Sequence, residues 1–209
     1  ARFAVDGTLV RLDEQDRTRW NAELIAQGHA LVRRCLEQNR PGRYQLLAAI
    51  NAVHTDAPRA ADTDWTRIAT LYDVLARIAP SPVVRLNQAV AVGMAFGPAA
   101  GLEIVELLHS EGSLDGYSLL PAVRGDLLSR LNRHAEARAE FLRAAGLTTV
   151  LATNQQPERR DWMRRTLGYD GLCDVDAYSC ELGVAKPDPA FYSAIVDDLA
   201  VTAGRVLFV

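Results

Sequence analysis

Val150-Leu-Ala-Thr-Asn154 and Ala185-Lys-Pro-Asp-Pro-Ala-Phe191 are the two stretches that decide how this chain is read. The first is an apolar run that ends in a hydroxyl and an amide. The second holds Lys186, the single lysine of the chain; the other basic side chains are arginines. A guanidinium is a planar fork and an ammonium is a compact point charge on a flexible stem, so the two are not interchangeable at a phosphate. A chain that uses arginine everywhere else and lysine here points to phosphate handling in its last third.

Around these stretches the pattern alternates between strand and helix. Residues 148–152 read as a buried strand, 157–167 as an amphipathic helix, 174–178 as a second strand, 189–199 as a helix and 206–209 as a strand. Such alternation predicts a parallel α/β sheet. Before Gly146 the pattern is helix after helix. Asp13 is placed to cap a helix carrying Trp20, Leu24, Ile25, Leu31, Val32, Cys35 and Leu36, and Arg40-Pro41-Gly42 stops it. Residues 44–53 form the next helix. Asp62-Thr63-Asp64 opens a third with Trp65, Ile68, Leu71, Tyr72, Leu75 and Ile78 on its apolar face. Ser81-Pro82 and Gly97-Pro98 each mark a new helix start. Asp115-Gly116 is a turn, and residues 117–131 and 135–145 make a helical hairpin hinged at Asn132-Arg133. The expected fold is therefore mainly α, a helical bundle or tetratricopeptide-like stack over residues 1–145. A partial, Rossmann-like α/β segment follows over residues 146–209.

Composition narrows the function. The length of 209 residues fits one domain or two small ones. A net charge of −3 argues against a nucleic-acid or membrane surface. No apolar run approaches the ~18 residues of a membrane span. Cys35, Cys173 and Cys180 are odd in number and lack metal-type spacing, which points to a reducing, cytoplasmic setting. His29, His54, His109 and His134 are scattered and read as packing or surface residues. The chain opens on Ala1 and stops within the strand-like Arg205-Val-Leu-Phe-Val209, so it reads as a fragment.

The helical region carries an ordered set of short motifs. They are Asp13-Glu-Gln-Asp-Arg-Thr-Arg-Trp20, Ala48-Ala-Ile-Asn-Ala-Val-His54, Asp64-Trp65, Leu71-Tyr72, Ser81-Pro-Val-Val-Arg-Leu-Asn-Gln-Ala-Val-Ala-Val92, Gly97-Pro-Ala-Ala-Gly101 and Asp115-Gly-Tyr117. Over residues 1–145 this resembles the C-terminal, tetratricopeptide-like extension of extracytoplasmic-function RNA polymerase sigma factors. The resemblance implies a non-catalytic, partner-binding role in transcription initiation, with the RNA polymerase machinery as partner. It implies no direct DNA binding by this segment, and no membrane partner is expected. Asp13, Glu14 and Asp16 beside Arg17 and Arg19 read as helix-terminal charge and surface pairs. Trp20, Trp65 and Tyr72 read as core.

Residues 146–209 resemble the haloacid-dehalogenase (HAD) superfamily of phosphatases. The resemblance implies that Thr153 contacts a phosphoryl group with Asn154 beside it, and that Lys186 neutralises the phosphoryl oxygens. It makes Thr153, Asn154 and Lys186 phosphate-binding, and Asp6, Thr153 and Lys186 catalytic. Phe3-Ala-Val-Asp-Gly-Thr8 fits the family's opening motif, with Asp6 as general acid and Ala4 where the nucleophilic Asp belongs. An alternative reading takes Asp6-Gly7 as an ordinary turn. The implied cofactor is Mg²⁺, but only in a complete site, because the acidic pair that holds it would follow Val209. As given, the chain is expected to hold no metal or other cofactor. Two functions follow. In one, a sigma-factor-type helical module is joined to an incomplete HAD segment, by natural fusion or by an artificial join. In the other, a HAD hydrolase carries the helices as an inserted cap and lacks activity, because Ala4 is no nucleophile and the acidic pair is absent.

Overall fold

The computed structural model describes residues 3, 7, 8, 10–38 and 41–207. Two compact units divide the chain, Ala1–Asn132 and Arg133–Val209. No helix among the described residues is long and apolar enough to cross a membrane.

The first unit is built from six α-helices: α1 (Ala22–Glu37), α2 (Arg43–Asp56), α3 (Trp65–Ile78), α4 (Pro82–Ala95), α5 (Pro98–Ser110) and α6 (Leu119–Arg130). Their starts follow from the caps. Asn21 Oδ1 accepts from the Leu24 N–H at 3.0 Å, and Asp64 Oδ1 accepts from the Arg67 N–H at 2.9 Å. Pro82 and Pro98 sit in the first turns of their helices, where a missing N–H costs nothing. Leu46, Ile50 and Val53 of α2 meet Ile68, Ala69 and Leu75 of α3 and Val84 and Ala91 of α4 in one apolar core. Helices α4 and α5 approach closely through two glycines. A Cβ on Gly101 would stand 2.6 Å from the Ala89 carbonyl oxygen and 2.9 Å from Gly93 Cα, so no larger residue fits without separating the helices.

The start of this unit departs from the sequence reading. Asp13 caps no helix; it pairs with Arg11 on the surface at 3.2 Å. The first helical turn is a short 3₁₀ segment, Arg17–Arg19, capped by Asp16. Helix α1 starts only at Ala22 and buries no residue fully, with Leu24, Leu31 and Leu36 exposed. Arg17 is not a surface pair either. Its guanidinium donates to the carbonyls of His54 at 2.7 Å and Ala57 at 2.8 Å. It thereby satisfies the C-terminal end of α2, where carbonyls lack helical partners and positive charge is favoured.

The second unit orders as α7 (His134–Ala144), β1 (Val150–Thr153), α8 (Pro157–Leu167), β2 (Val175–Tyr178), α9 (Ser179–Leu182) and α10 (Pro189–Asp198). β1 and β2 pair in parallel, in the register Val150↔Val175 to Thr153↔Tyr178. Ala177, Phe191 and Ile195 form the core, with Val150, Ala152, Leu182, Val184, Tyr192 and Leu199 packed around it. Asp174 ties the sheet's lower end. It accepts from the Thr149 N–H at 2.7 Å and the Thr149 hydroxyl at 2.8 Å, and it pairs with Arg143 from α7. Burial alone would raise the Asp174 carboxyl, but these donors outweigh it and hold it below the usual carboxylate value. Arg164 of α8 grips Glu181 with both terminal nitrogens, at 2.9 and 3.1 Å, and lies 4.9 Å over the Tyr178 ring.

The fold is thus mainly α with a small parallel α/β segment, as the periodicity predicts. The strand expected over residues 206–209 does not form at Val206 and Leu207, which continue from a 3₁₀ turn. Phe208 and Val209 lie outside the described residues. So do Ala4, Val5 and Asp6, while Phe3 sits in an isolated bridge with its side chain exposed.

Candidate anion site at the end of β1

Thr153 is the last residue of β1, and β2 ends beside it at Tyr178. In a parallel sheet the carboxyl ends of the strands are where ligands bind, because the following loops open there. Three of the sequence-predicted residues meet at this end. Asn154 faces the Lys186 backbone. Its Nδ2 donates to the Lys186 carbonyl at 2.9 Å, and its Oδ1 accepts from the Lys186 N–H at 2.8 Å. The Lys186 side chain then turns back to β1, where its Nζ donates to the Ala152 carbonyl at 3.0 Å. Nζ also lies 5.9 Å from the centroid of the Phe191 ring, an attractive position for a cation. Asp6, the remaining predicted site residue, lies outside the described residues.

The donors here have capacity to spare. An ammonium carries three N–H groups and Ala152 takes one. The Thr153 hydroxyl accepts from Gln155 Nε2 at 3.3 Å, which leaves its own proton to give. Ser179 closes the loop: its hydroxyl accepts from the Gln155 N–H at 3.0 Å and donates to the Gln155 carbonyl at 3.3 Å. A cleft of about 410 Å³ opens alongside, lined by Asn154, Gln155, Gln156, Glu158, Arg159 and Ser179. Helix α8 begins at its wall with Pro157 in the first turn. Gln155 carries no sequence signal of its own, and its bond with Ser179 joins residues 24 apart in the chain.

The spare donors here are an ammonium and a hydroxyl. Thr153, Gln155 and Ser179 form one hydrogen-bonded set and Asn154 with Lys186 another, neither with a carboxylate, although Glu158 lines the cleft beside them. Among the described residues there is no group of three or more His, Cys, Asp or Glu side chains that could hold a metal ion. The Mg²⁺ implied by the phosphatase resemblance therefore has no fitting ligand set among the described residues, and no chemical step runs through it.

A parallel strand pair with a hydroxyl at its carboxyl end and a lysine folded onto it defines the class: a small parallel α/β unit. A family model described as haloacid dehalogenase-like hydrolase matches residues 5–209. The chain belongs to that family. An uncharacterized protein of Rhizobium meliloti (strain 1021) is 45% identical over 149 residues, which is 71% of this chain and 35% of that protein. The chain thus spans about a third of the length of that relative. No solved structure matches it.

The family match corrects the reading of residues 1–145. One hydrolase model runs through the helices as well as the sheet, so the helical region is not a separate sigma-factor extension, and neither the transcription role nor the tetratricopeptide-like assignment stands. The short motifs that carried the resemblance lie inside that one match, and a helical stack by itself does not identify a family.

Proposed function

We propose that this chain is a phosphoryl-binding hydrolase-family protein, with Thr153 and Lys186 receiving the anion at the end of β1 and the helical region as an inserted cap. In chain order the helices stand between the Asp6-Gly7-Thr8 stretch and β1, the place an insertion of this family would take. One observation carries the reading: the only lysine of the chain is folded back onto the strand that ends in Thr153, with its ammonium 3.0 Å from the Ala152 carbonyl. The dipole of α8, whose N-terminal turn borders the same cleft, favours negative charge as well.

Binding and turnover separate at this point. Phosphoryl transfer in such a site needs a nucleophile, and the family's nucleophile position is read here as Ala4, one residue before the matched stretch. Ala cannot attack phosphorus. The chain is therefore expected to bind orthophosphate and not to hydrolyse an aryl phosphate. Calorimetric titration with orthophosphate tests the first half, with Lys186→Ala expected to weaken binding about ten-fold. Mg²⁺-dependent release of an aryl alcohol by the unmodified chain, abolished in Lys186→Ala, would overturn the second half.

A further inference from the structure

The resemblance makes Asn154 a phosphate ligand, but the geometry points to a different task. We propose that Asn154 is a positioning residue that fixes where the Lys186 ammonium stands. This rests on the phosphate reading of Thr153 and Lys186. The Asn154 side chain spends its oxygen and one of its two Nδ2 hydrogens on the Lys186 backbone, at 2.8 and 2.9 Å. The pairing also fixes the amide's orientation, since a rotated amide would set its NH₂ against the Lys186 N–H.

These two bonds and the Nζ–Ala152 bond form a closed circuit. It runs from β1 through the Asn154 side chain to the Lys186 backbone, along the lysine stem and back to β1 two residues upstream. The circuit matters because a lysine stem loses much rotamer freedom when it is held in one place. Asn154 holds one end of that stem and Ala152 the other. Downstream, Asp188 caps α10 by accepting from the Ala190 N–H at 2.9 Å, and the fully buried Phe191 lies under the ammonium. The segment that carries Lys186 is therefore anchored from both sides, and Asn154 is its anchor to the strand. A direct ligand would contribute through the remaining Nδ2 hydrogen and would do so whether or not residue 186 is lysine. A positioning residue contributes only when the lysine is present.

The test uses the intact chain and the fact that Lys186 is its only lysine. Amine acylation followed by peptide mapping reads Lys186 alone. Asn154→Ala is expected to raise the Lys186 acylation rate roughly three-fold, as the loss of its anchoring bonds releases the stem. An unchanged rate overturns the proposal. Phosphate affinity is then measured for the wild type, Asn154→Ala, Lys186→Ala and the double variant. The positioning role predicts that Asn154→Ala weakens binding about ten-fold beside Lys186 and less than about two-fold in the Lys186→Ala background. Equal factors in both backgrounds overturn it and make Asn154 an independent ligand. A wild type that binds no phosphate sinks the phosphate reading, while the acylation rates still decide the positioning role. Should Asn154→Ala fail to fold, exchange of the Lys186 backbone amide in the wild type decides: protection supports the anchor, and exchange at the free-peptide rate refutes it.

Discussion

Ile68, Leu75, Leu86, Val105, Leu108, Leu127 and Leu128 are the fully buried large side chains of the helical unit, whereas in the β1–β2 unit Tyr178 and Phe191 alone reach that state among the described residues. The helical unit rests on aliphatic interdigitation spread over many helices. The α/β unit has a small core and adds charged ties: Asp174 with Arg143 and Thr149, and Arg164 with Glu181 and Asp176. The difference teaches where each unit is vulnerable. A distributed apolar core tolerates the loss of one side chain better than a core of three buried residues does, and charged ties respond to pH where aliphatic packing does not.

The largest expected effect breaks the smaller core. Phe191→Ala removes a fully buried ring and should cost about 4 kcal/mol. It also removes the aromatic face beneath Lys186, so phosphate binding should fall with stability. Leu75→Ala in the helical unit should cost about 3 kcal/mol and leave phosphate binding intact at temperatures below the melt. Thermal melts with a parallel binding assay check both, and equal losses of binding in the two variants would erase the contrast.

A middle-sized effect comes from Arg17→Met. The substitution keeps the stem and deletes the donors that satisfy the carbonyls of His54 and Ala57. A loss of about 1.5 kcal/mol is expected in the melt. His54 supplies a second readout. Burial, and then the Arg17 charge, hold its imidazole below the ordinary histidine value of 6.5. Removing Arg17 should move the His54 titration up toward that value, as followed by the ring proton signals.

The smallest effects are in pH. His54 binds a proton more readily in the unfolded chain, so its contribution is fully present above pH 6.5 and is lost as pH falls from there through its lower folded value. Asp174 is likewise held below 3.8, so its contribution is present above that pH and is lost as pH falls through its folded value. Denaturant melts across acid pH should therefore show a shallow loss below pH 6.5 from the helical unit and a second loss below pH 3.8 to which Asp174 of the α/β unit contributes. Asp174→Asn should shrink the second step, which the lowered Asp16, Asp62 and Asp161 share, and leave the first.

Local signals were legible where one residue sets one turn. Helix α8 spans the expected Pro157–Leu167 because Pro157 starts it and Gly168, at φ 64°, ends it. Thr153 and Lys186 are singled out by the family resemblance and by the lone lysine, and the fold brings their segments together at the end of β1. Contacts between distant parts of the chain were not legible. The Asn154–Lys186 bonds join residues 32 apart, and the Arg17–His54 bond joins residues 37 apart. Neither spacing leaves a periodic trace. The misassigned first helix had three competent caps to choose from: Asp16 caps the short 3₁₀ turn, Asn21 caps α1, and Asp13 caps neither. The sigma-factor resemblance is overturned by the hydrolase family model that runs through residues 5–209, helices included.

Lys186 is the most direct probe of the whole account. With lysine labelled by ¹⁵N at Nζ, the chain gives one side-chain ammonium signal. Titration with orthophosphate should shift that signal saturably, and Thr153→Val should weaken the response without abolishing it. A lysine signal that stays in place while phosphate rises to tens of times physiological levels would contradict the phosphate site.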